Sequence, residues 1–366
     1  MASPIDPSHQ ASNHLEIATP VTHINLAVRG TVPNALSGRL VGIRDGIVHE
    51  VHLHSRRAPS YRCRRVHSDV VGDEIVAFGG SILIIGNGPI AHELGRDLEI
   101  LRAVDVAGQS RRLTAHAKRR SAADELHVLA VDELGTQAHI AVSTGALTRR
   151  TRSIVDAPSE VTNLAVTRDG VLFVADGFVG VTAHQVDARI SWIATGVAGA
   201  VLVHAADVGD TVVALAITPQ LERWTIDGRS GVVHRELLDA TPHQFACVSD
   251  GPVDGTPQFL WTVGEGTFEQ HDLGSASIAR HHVAPHQPAD LVKVADPARR
   301  AEADRGWILG LVHPVKGDRT DVFVLDAGDV RRPALAQVRI PREIPTGLRT
   351  TWIPYQAMTN TTGDRP

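Results

Sequence analysis

The sequence has only two cysteines in 366 residues, Cys63 and Cys247, which excludes a disulfide framework and a zinc site built from cysteines. Aromatic residues make up only 4% of the chain, which disfavours a binding tunnel lined mainly by aromatic rings. No apolar run approaches the roughly 20 residues that a transmembrane helix needs. Residues 1–14 lack the apolar core of a signal peptide. We therefore expect a cytoplasmic protein without a transmembrane segment.

The chain also lacks the basic excess that is typical of nucleic-acid-binding proteins. It has 36 Lys and Arg residues against 41 Asp and Glu residues, so its net charge is -5 at pH 7. This balance argues against nucleic acid as a partner. Two common catalytic motifs, G-x-S-x-G and H-E-x-x-H, are absent as well. With 43% hydrophobic and 21% charged residues, the composition is that of a globular protein.

Short β-type runs separated by turn residues make up most of the sequence. In two places, a turn sequence typical of a hairpin separates two β-type runs. These runs are Leu221–Ile226 and Val232–Leu237 in the first place, and Trp307–Val312 and Asp321–Leu325 in the second. Only the segment near Ala289–Ala303 is a candidate for a short helix, with a loop as the alternative. This pattern predicts an all-β sandwich, barrel or propeller. A propeller blade takes roughly 40–50 residues, so seven blades fit the length of the chain.

The two ends of the chain differ in composition from the interior. Residues 1–14 and 357–366 are polar, and we expect both to form flexible tails. The segment between them, residues 15–356, is expected to form a single β-propeller domain. The sequence carries no signal for an oligomeric state.

Several segments, in order along the chain, resemble motifs of the carotenoid cleavage oxygenase family. They are residues 19–38, Asp45–Leu53, Ser60–Arg65, Thr114–Leu126, Leu221–Gly228, Asp321–Pro341 and Ile344–Pro354. In one of them, TAHAKRRSAADEL matches T-A-H-P-K-x-D-P-x-T-G-E-L without a gap. The resemblance covers roughly residues 14–355. It implies a seven-bladed β-propeller with Fe(II) bound by four histidines on its axis and a loop cap over a tunnel for apolar polyenes or stilbenes.

The resemblance assigns the four metal-binding positions to His116, Thr162, His204 and Arg349, of which only two are histidines. A guanidinium about 4 Å from Fe(II), at an effective dielectric constant near 20, would oppose the metal by roughly 8 kcal/mol. We therefore predict no metal at this site and no cofactor. We assign catalytic roles to His116, His204 and Arg349: the imidazoles transfer protons, and the guanidinium stabilises a negatively charged substrate oxygen.

Further positions near the expected axis are candidates for binding the substrate. In the family, carboxylates accept hydrogen bonds from the metal-binding imidazoles, and the resemblance places Asn87 and Gln244 at two of these positions. The segment around Asp207 contains no clear glutamate at the third. His243 precedes Gln244 in the sequence. Together with Thr162, these four residues form the predicted substrate-binding set.

Three functions remain open from the sequence. The favoured one is an enzyme that binds a small, extended apolar molecule, such as a polyene or polyketide-like compound, and carries out a metal-independent, redox-neutral isomerisation or cyclisation. The second is a binding or scaffold protein without catalysis. The third is an Fe(II)-dependent dioxygenase that cleaves a C=C bond at a rebuilt site, in which His116, His204 and a carboxylate such as Asp207 hold the metal.

Overall fold

The computed structural model describes residues 20–355 except 55, 67–73, 87, 109–110, 115–116, 121–122, 145–147, 186, 249–254, 300–301, 303 and 316–318. The described residues form 31 strands in seven antiparallel sheets of four or five strands each. The predicted all-β, seven-bladed propeller is therefore confirmed. The predicted tails lie outside the described residues. The described part of the chain contains no helix with the length and apolarity to cross a membrane.

Each sheet is one blade, and we number the blades in chain order. Blade 1 contains β6 (Glu74–Phe78), β7 (Ser81–Ile85), β8 (Ala91–Leu94) and β9 (Ile100–Val104). Blade 2 contains β10 (Arg111–Leu113), β11 (Lys118–Arg120), β12 (Glu125–Asp132), β13 (Gln137–Ser143) and β14 (Arg149–Ser153). Blade 3 contains β15 (Val161–Val166), β16 (Gly170–Ala175), β17 (Phe178–Ala183) and β18 (Ser191–Ala194).

The next two blades are also continuous in sequence. Blade 4 contains β19 (Val201–Val208), β20 (Thr211–Ile217), β21 (Leu221–Asp227) and β22 (Val232–Asp239). Blade 5 contains β23 (Phe245–Val248), β24 (Phe259–Gly264), β25 (Thr267–Asp272) and β26 (Ser277–His282). Successive strands pair with one another in both blades, as expected for sheets built from consecutive hairpins.

Blades 6 and 7 combine strands from both ends of the chain. Blade 6 contains β27 (Gln287–Ala295), β28 (Gly306–His313), β29 (Thr320–Asp326), β30 (Ala336–Ile340) and β2 (Ala27–Gly30). Blade 7 contains β31 (Arg349–Pro354), β3 (Gly38–Arg44), β4 (Ile47–Leu53), β5 (Ser60–Arg65) and β1 (Val21–His23). Because β2 pairs with β30 and β31 pairs with β3, opening the ring requires breaking hydrogen bonds within both sheets.

The two hairpins predicted from turn residues are confirmed as the pairs β21–β22 and β28–β29. The helix predicted near Ala289–Ala303 is wrong, because its first seven residues continue the strand β27 up to Ala295. The register of β27 against β28 shifts between Pro288 and Asp290. Such a bulge interrupts the alternation of side chains that marks a strand in a sequence.

Apolar packing is concentrated between neighbouring blades. The described residues contain seven clusters of buried apolar side chains, one at each blade interface. The cluster between blades 6 and 7 contains 21 buried residues. The cluster between blades 4 and 5 contains only four, which are Leu215, Ile217, Leu221 and Leu260. Burial of these surfaces is the main favourable contribution to folding, and its size differs strongly from one interface to the next.

Candidate functional site

The first strands of the blades surround a central channel. Among them, β15 contacts β19, β23 contacts β27, and β31 contacts both β27 and β6. The channel has a volume of about 710 Å³, and its apolar wall includes Ile75, Val201, Phe245, Leu291 and Trp352. A concave cavity of this size, lined by apolar and polar groups in similar measure, can accommodate a small molecule.

Asp290 is a buried acidic residue on the wall of this channel. It lies on β27 and is 5% exposed. Its Oδ2 atom accepts hydrogen bonds from the backbone N–H of Thr350, at 2.7 Å, and from the Thr350 hydroxyl, at 2.6 Å. Burial raises the pKa of Asp290 to about 7, although these hydrogen bonds and the positive charge of Arg349 act in the opposite direction. At neutral pH this carboxyl can therefore both donate and accept a proton.

Four residues with cationic side chains line the same channel: Lys118 and Arg119 on β11, Lys293 on β27 and Arg349 on β31. Burial lowers the pKa of Lys118, the negative charge of Glu74 raises it, and the positive charge of Arg349 lowers it. Glu74 also lines the channel, and its Oε2 atom accepts a hydrogen bond from the backbone N–H of Ala117 at 2.9 Å. The channel therefore combines an apolar wall with charged groups of both signs.

Besides Arg349 on β31, two of the predicted axial residues lie on first strands. The Nε2 atom of His204, on β19, is 3.2 Å from the carbonyl oxygen of Gly255 and donates a hydrogen bond to it. Burial lowers the pKa of His204, while the Gly255 carbonyl raises it. Thr162, on β15, is exposed, and its hydroxyl oxygen is 3.5 Å from the carbonyl oxygen of Val174. His204 is therefore held as a neutral ring by its surroundings.

The other predicted site residues are in different environments. Gln244 lines the channel. Asp207 lies near the C-terminal end of β19, where its Oδ2 atom accepts a backbone hydrogen bond from blade 3 at 2.9 Å. His243 belongs to a separate buried group at the interface between blades 4 and 5. His116 and Asn87 lie outside the described residues. The catalytic and substrate-binding roles assigned from the sequence stay predictions.

Asp290 and Lys118 were not among the predicted site residues. Lys118 belongs to the same sequence segment as His116, but it begins a run of three basic residues, which is usually a solvent-exposed face. Asp290 lies in the segment whose pattern favoured a helix, so the sequence placed it on the wrong kind of element. The sequence signal that could have identified Asp290 is its position as an isolated carboxylate within the mainly apolar run of β27.

The described residues of the channel do not match the four-histidine iron site that the resemblance implies. None of the described residues that line the channel is a histidine. Lys118 and Arg349 also line it, and their positive charges oppose binding of a divalent cation there. We therefore derive no catalytic step through an iron atom on the axis.

A second polar group lies at the interface between blades 4 and 5. It consists of Asp239 at the end of β22, His243 in the following loop, and Glu269 and His271 on β25, all of them buried. Each residue offers one ligand atom, and these atoms lie within 4.8 Å of one another. In the part of the chain that the structure describes, no other group of three or more His, Cys, Asp or Glu residues has this arrangement. The group can hold a metal ion.

Comparisons with known proteins agree with the sequence motifs. Residues 200–354 match the family model described as RPE65, retinal pigment epithelial membrane protein. An apocarotenoid-15,15'-oxygenase from Synechocystis sp. is 28% identical over 143 residues, which are 36% of this chain. A carotenoid cleavage oxygenase from Mycobacterium tuberculosis is 29% identical over 150 residues, which are 37% of this chain. Each alignment covers 29% of the length of the curated relative.

Solved structures show the same fold over almost the whole chain. Cobalt-substituted Synechocystis apocarotenoid oxygenase matches with a TM-score of 0.79 and 16% identity, over 92% of this chain and 96% of that chain. A chimera of that oxygenase and RPE65 matches with a TM-score of 0.78 over the same shares of both chains. Together with the family match, these findings confirm the resemblance to the carotenoid cleavage oxygenases.

The prediction that the chain has no cofactor is contradicted by two findings. The similar Synechocystis structure is a cobalt-substituted protein. In this chain, the buried group of Asp239, His243, Glu269 and His271 has the ligand types of a transition-metal centre. The prediction considered only the axial positions of the family, whereas this group is formed by two neighbouring blades away from those positions.

Proposed function

We propose that this chain, a relative of the carotenoid cleavage oxygenases, binds an extended apolar small molecule in its central channel and changes it by proton transfer. The observation that carries the proposal is Asp290, a buried carboxyl on the channel wall whose pKa is raised to about 7. Strongly perturbed pKa values in a cleft are typical of groups that act in acid–base catalysis. The reaction class is a redox-neutral isomerisation or cyclisation.

The positive charge of Arg349, which acts on Asp290, and that of Lys118, which lines the same channel, suit a substrate with a carbonyl group at one end. The Asp290 carboxylate removes a proton from a saturated carbon attached to the conjugated system of this carbonyl; the C–H electron pair forms a new C=C bond, the conjugated double bonds shift, and the carbonyl electron pair moves to the oxygen, giving an extended enolate. The Arg349 guanidinium and the Lys118 ammonium stabilise the negative oxygen. The protonated Asp290 then returns the proton either to a different carbon, which moves the double bond, or to the original carbon after rotation about a bond that is single in the enolate, which changes the configuration of the double bond. In both cases one proton is removed and one is returned, so no oxidant is needed.

Thr350 acts as a positioning residue for Asp290. Its backbone N–H and its hydroxyl both donate to Oδ2 of Asp290, at 2.7 and 2.6 Å, and thereby restrict the rotation of the carboxyl group. Because Thr350 belongs to β31 and Asp290 to β27, this geometry depends on the contact between blades 6 and 7. The bulge in β27 between Pro288 and Asp290 sets the direction of the acidic side chain.

The proposal is tested with all-trans-retinal, a conjugated polyene aldehyde, as the probe substrate. The full chain is incubated with it in the dark under nitrogen, and the isomers are separated chromatographically. We expect the wild type to change the isomer composition and Asp290→Asn to slow this change by about 10²- to 10⁴-fold. Glu236→Gln, which alters an exposed carboxylate on β22, is the control and should retain the wild-type rate. Equal rates for the wild type and Asp290→Asn contradict the proposal.

A second candidate function is an iron-dependent dioxygenase, which the similarity to curated carotenoid oxygenases favours. It predicts oxygen consumption and cleavage of the polyene into two shorter carbonyl products. The same incubation, repeated in air with added Fe(II), separates the two candidates. Shortened products with matching oxygen uptake favour the dioxygenase, whereas isomers of unchanged mass favour the acid–base reaction.

A further inference from the structure

We infer that the interface between blades 4 and 5 holds a divalent transition-metal ion of the zinc type, bound by Asp239, His243, Glu269 and His271. None of these four residues lines the central channel. The inference therefore concerns a separate site, and it does not depend on the function proposed for the channel.

The distances within the group suit a shared ion better than direct hydrogen bonds. Nε2 of His243 lies 3.5 Å from Oδ2 of Asp239, and Nε2 of His271 lies 3.7 Å from Oε2 of Glu269. Both separations are longer than good N–H···O hydrogen bonds. Two ligands that are each about 2.0–2.1 Å from one tetrahedral Zn²⁺ are roughly 3.3–3.4 Å apart. The four ligand atoms lie within 4.8 Å of one another, and Nε2 of His271 is also 2.9 Å from the hydroxyl oxygen of Thr262, so metal binding requires side-chain movements that bring the four atoms together and replace this contact.

Glu269 presents a buried oxygen that has no hydrogen-bond partner. Its Oε2 atom is unsatisfied, although the side chain is only 4% exposed. A desolvated carboxylate oxygen without a donor is unfavourable, so almost all such atoms in folded proteins have a partner. A cation between Glu269 and His271 supplies that partner.

Arg280 neutralises only part of the negative charge of the group. Its Nε atom donates to Oε1 of Glu269 at 3.0 Å, and its guanidinium also contacts Oδ2 of Asp239 at 3.3 Å. Two carboxylates and one guanidinium leave a net charge of about −1 when the imidazoles are neutral. Because Arg280 uses Oε1 of Glu269, the opposite oxygen is available to a metal. The local charge thus favours a divalent cation.

The ligand types select the class of metal. Two imidazole nitrogens and two carboxylate oxygens make a four-ligand set of borderline hardness, which suits Zn²⁺ and its spectroscopic substitute Co²⁺. Ca²⁺ takes six to eight oxygen ligands, and Mg²⁺ requires octahedral oxygen coordination with several waters. The group offers neither the number nor the type of ligands that these hard cations need.

The site lies at the blade interface with the smallest apolar core. Among the described residues, four buried apolar side chains pack between blades 4 and 5, compared with seven to 21 at the other six interfaces. Asp239 belongs to blade 4, whereas Glu269 and His271 belong to blade 5. A metal ion bound by both blades therefore cross-links them where apolar burial contributes least, and its binding free energy adds to the stability of the fold.

The experiment measures metal content, thermal stability and the Co²⁺ absorption spectrum of the full chain. The protein is stripped with a chelator and reloaded with ZnCl₂ or CoCl₂. We expect about one ion per chain, a higher Tm after reloading, and the intense visible absorption of tetrahedral Co²⁺. The double variant His243→Gln, His271→Gln should bind at least tenfold more weakly and lose this absorption. The control His281→Gln removes a half-buried imidazole from β26 of the same blade and should retain both properties.

A third variant keeps the test decisive if the double variant does not fold. Glu269→Gln retains the shape of the side chain and an acceptor for Arg280 but removes the negative charge, and it should also bind Zn²⁺ and Co²⁺ at least tenfold more weakly. The inference is overturned if the wild type binds less than about a tenth of an equivalent of either ion. It is also overturned if both the double variant and Glu269→Gln retain the wild-type affinity and Co²⁺ spectrum.

Discussion

Replacing Asp290 with asparagine should make the stability of the propeller less dependent on pH. Burial raises the pKa of Asp290 from 3.8 to about 7, so the folded chain binds this proton more tightly than the unfolded chain. The stabilising contribution of the proton is fully present below about pH 4 and is lost as the pH rises through 7. The difference between the two pKa values corresponds to roughly 4 kcal/mol, which is an upper value for the effect.

Asp290→Asn removes this ionisation but keeps a side-chain oxygen that can accept the Thr350 hydrogen bonds. Subtracting the free energy of unfolding of the wild type from that of the variant at each pH cancels the contributions of all other groups. We expect this difference to rise by up to roughly 4 kcal/mol between about pH 4 and pH 8, in favour of the variant. Urea unfolding followed by tryptophan fluorescence at several pH values measures it. A difference that is the same at every pH refutes the assignment.

Three further predictions concern other charged or tightly packed positions. Arg349→Gln removes a positive charge that lowers the pKa of Asp290, so it should move the midpoint of the pH-dependent stability above 7. The pKa of Glu222 is lowered to about 2, chiefly by a hydrogen bond from a guanidinium on β22. Glu222→Gln should therefore cost at most roughly 3 kcal/mol at neutral pH, and urea unfolding should show the cost shrinking as the pH falls from about 4.5 towards 2. Gly38→Ala places a Cβ atom 2.6 Å from a carbonyl oxygen of β31, so it should lower the free energy of unfolding by about 1–3 kcal/mol. The control Gly228→Ala places a Cβ atom where no other atom lies within 4 Å, so it should change the free energy of unfolding little.

The fold could be predicted because its local signals recur along the chain. Turn residues mark the hairpins β21–β22 and β28–β29, and the ordered motifs imply the number of blades. The pairing of β2 with β30 and of β31 with β3 joins segments about 300 residues apart, which no local pattern describes. The strand β27 was missed because its bulge disturbs the two-residue period by which strands are recognised.

The channel residues could be predicted only in part. Arg349 and Gln244 line the channel and stood among the predicted site residues, Arg349 because it lies within a motif that resembles the family and Gln244 because the resemblance places it at the position of a family carboxylate. Asp290 owes its raised pKa to burial, which outweighs the opposing effect of its hydrogen bonds and of Arg349, and this burial exists only in the folded ring. A sequence contains the carboxyl group but not the environment that changes its ionisation.

The sequence predicts the buried group between blades 4 and 5 less well than it predicts the channel residues. Glu269 and His271 are two positions apart on β25, so their side chains share one face of the strand. Asp239 and His243 reach the same place from the end of β22 and the loop that follows it. The two pairs meet only because consecutive blades pack face to face, and this contact appears only once the propeller has been assembled.

Titration of Asp290 itself tests the proposed acid–base role most directly. The chain is labelled with ¹³C at the side-chain carboxyl of aspartate, and the signal that Asp290→Asn lacks is followed by NMR as the pH is varied. We predict that this signal titrates near pH 7, because burial disfavours the charged form. A midpoint near pH 4, as in a solvent-exposed aspartate, would contradict the role of Asp290 as the proton carrier of the channel.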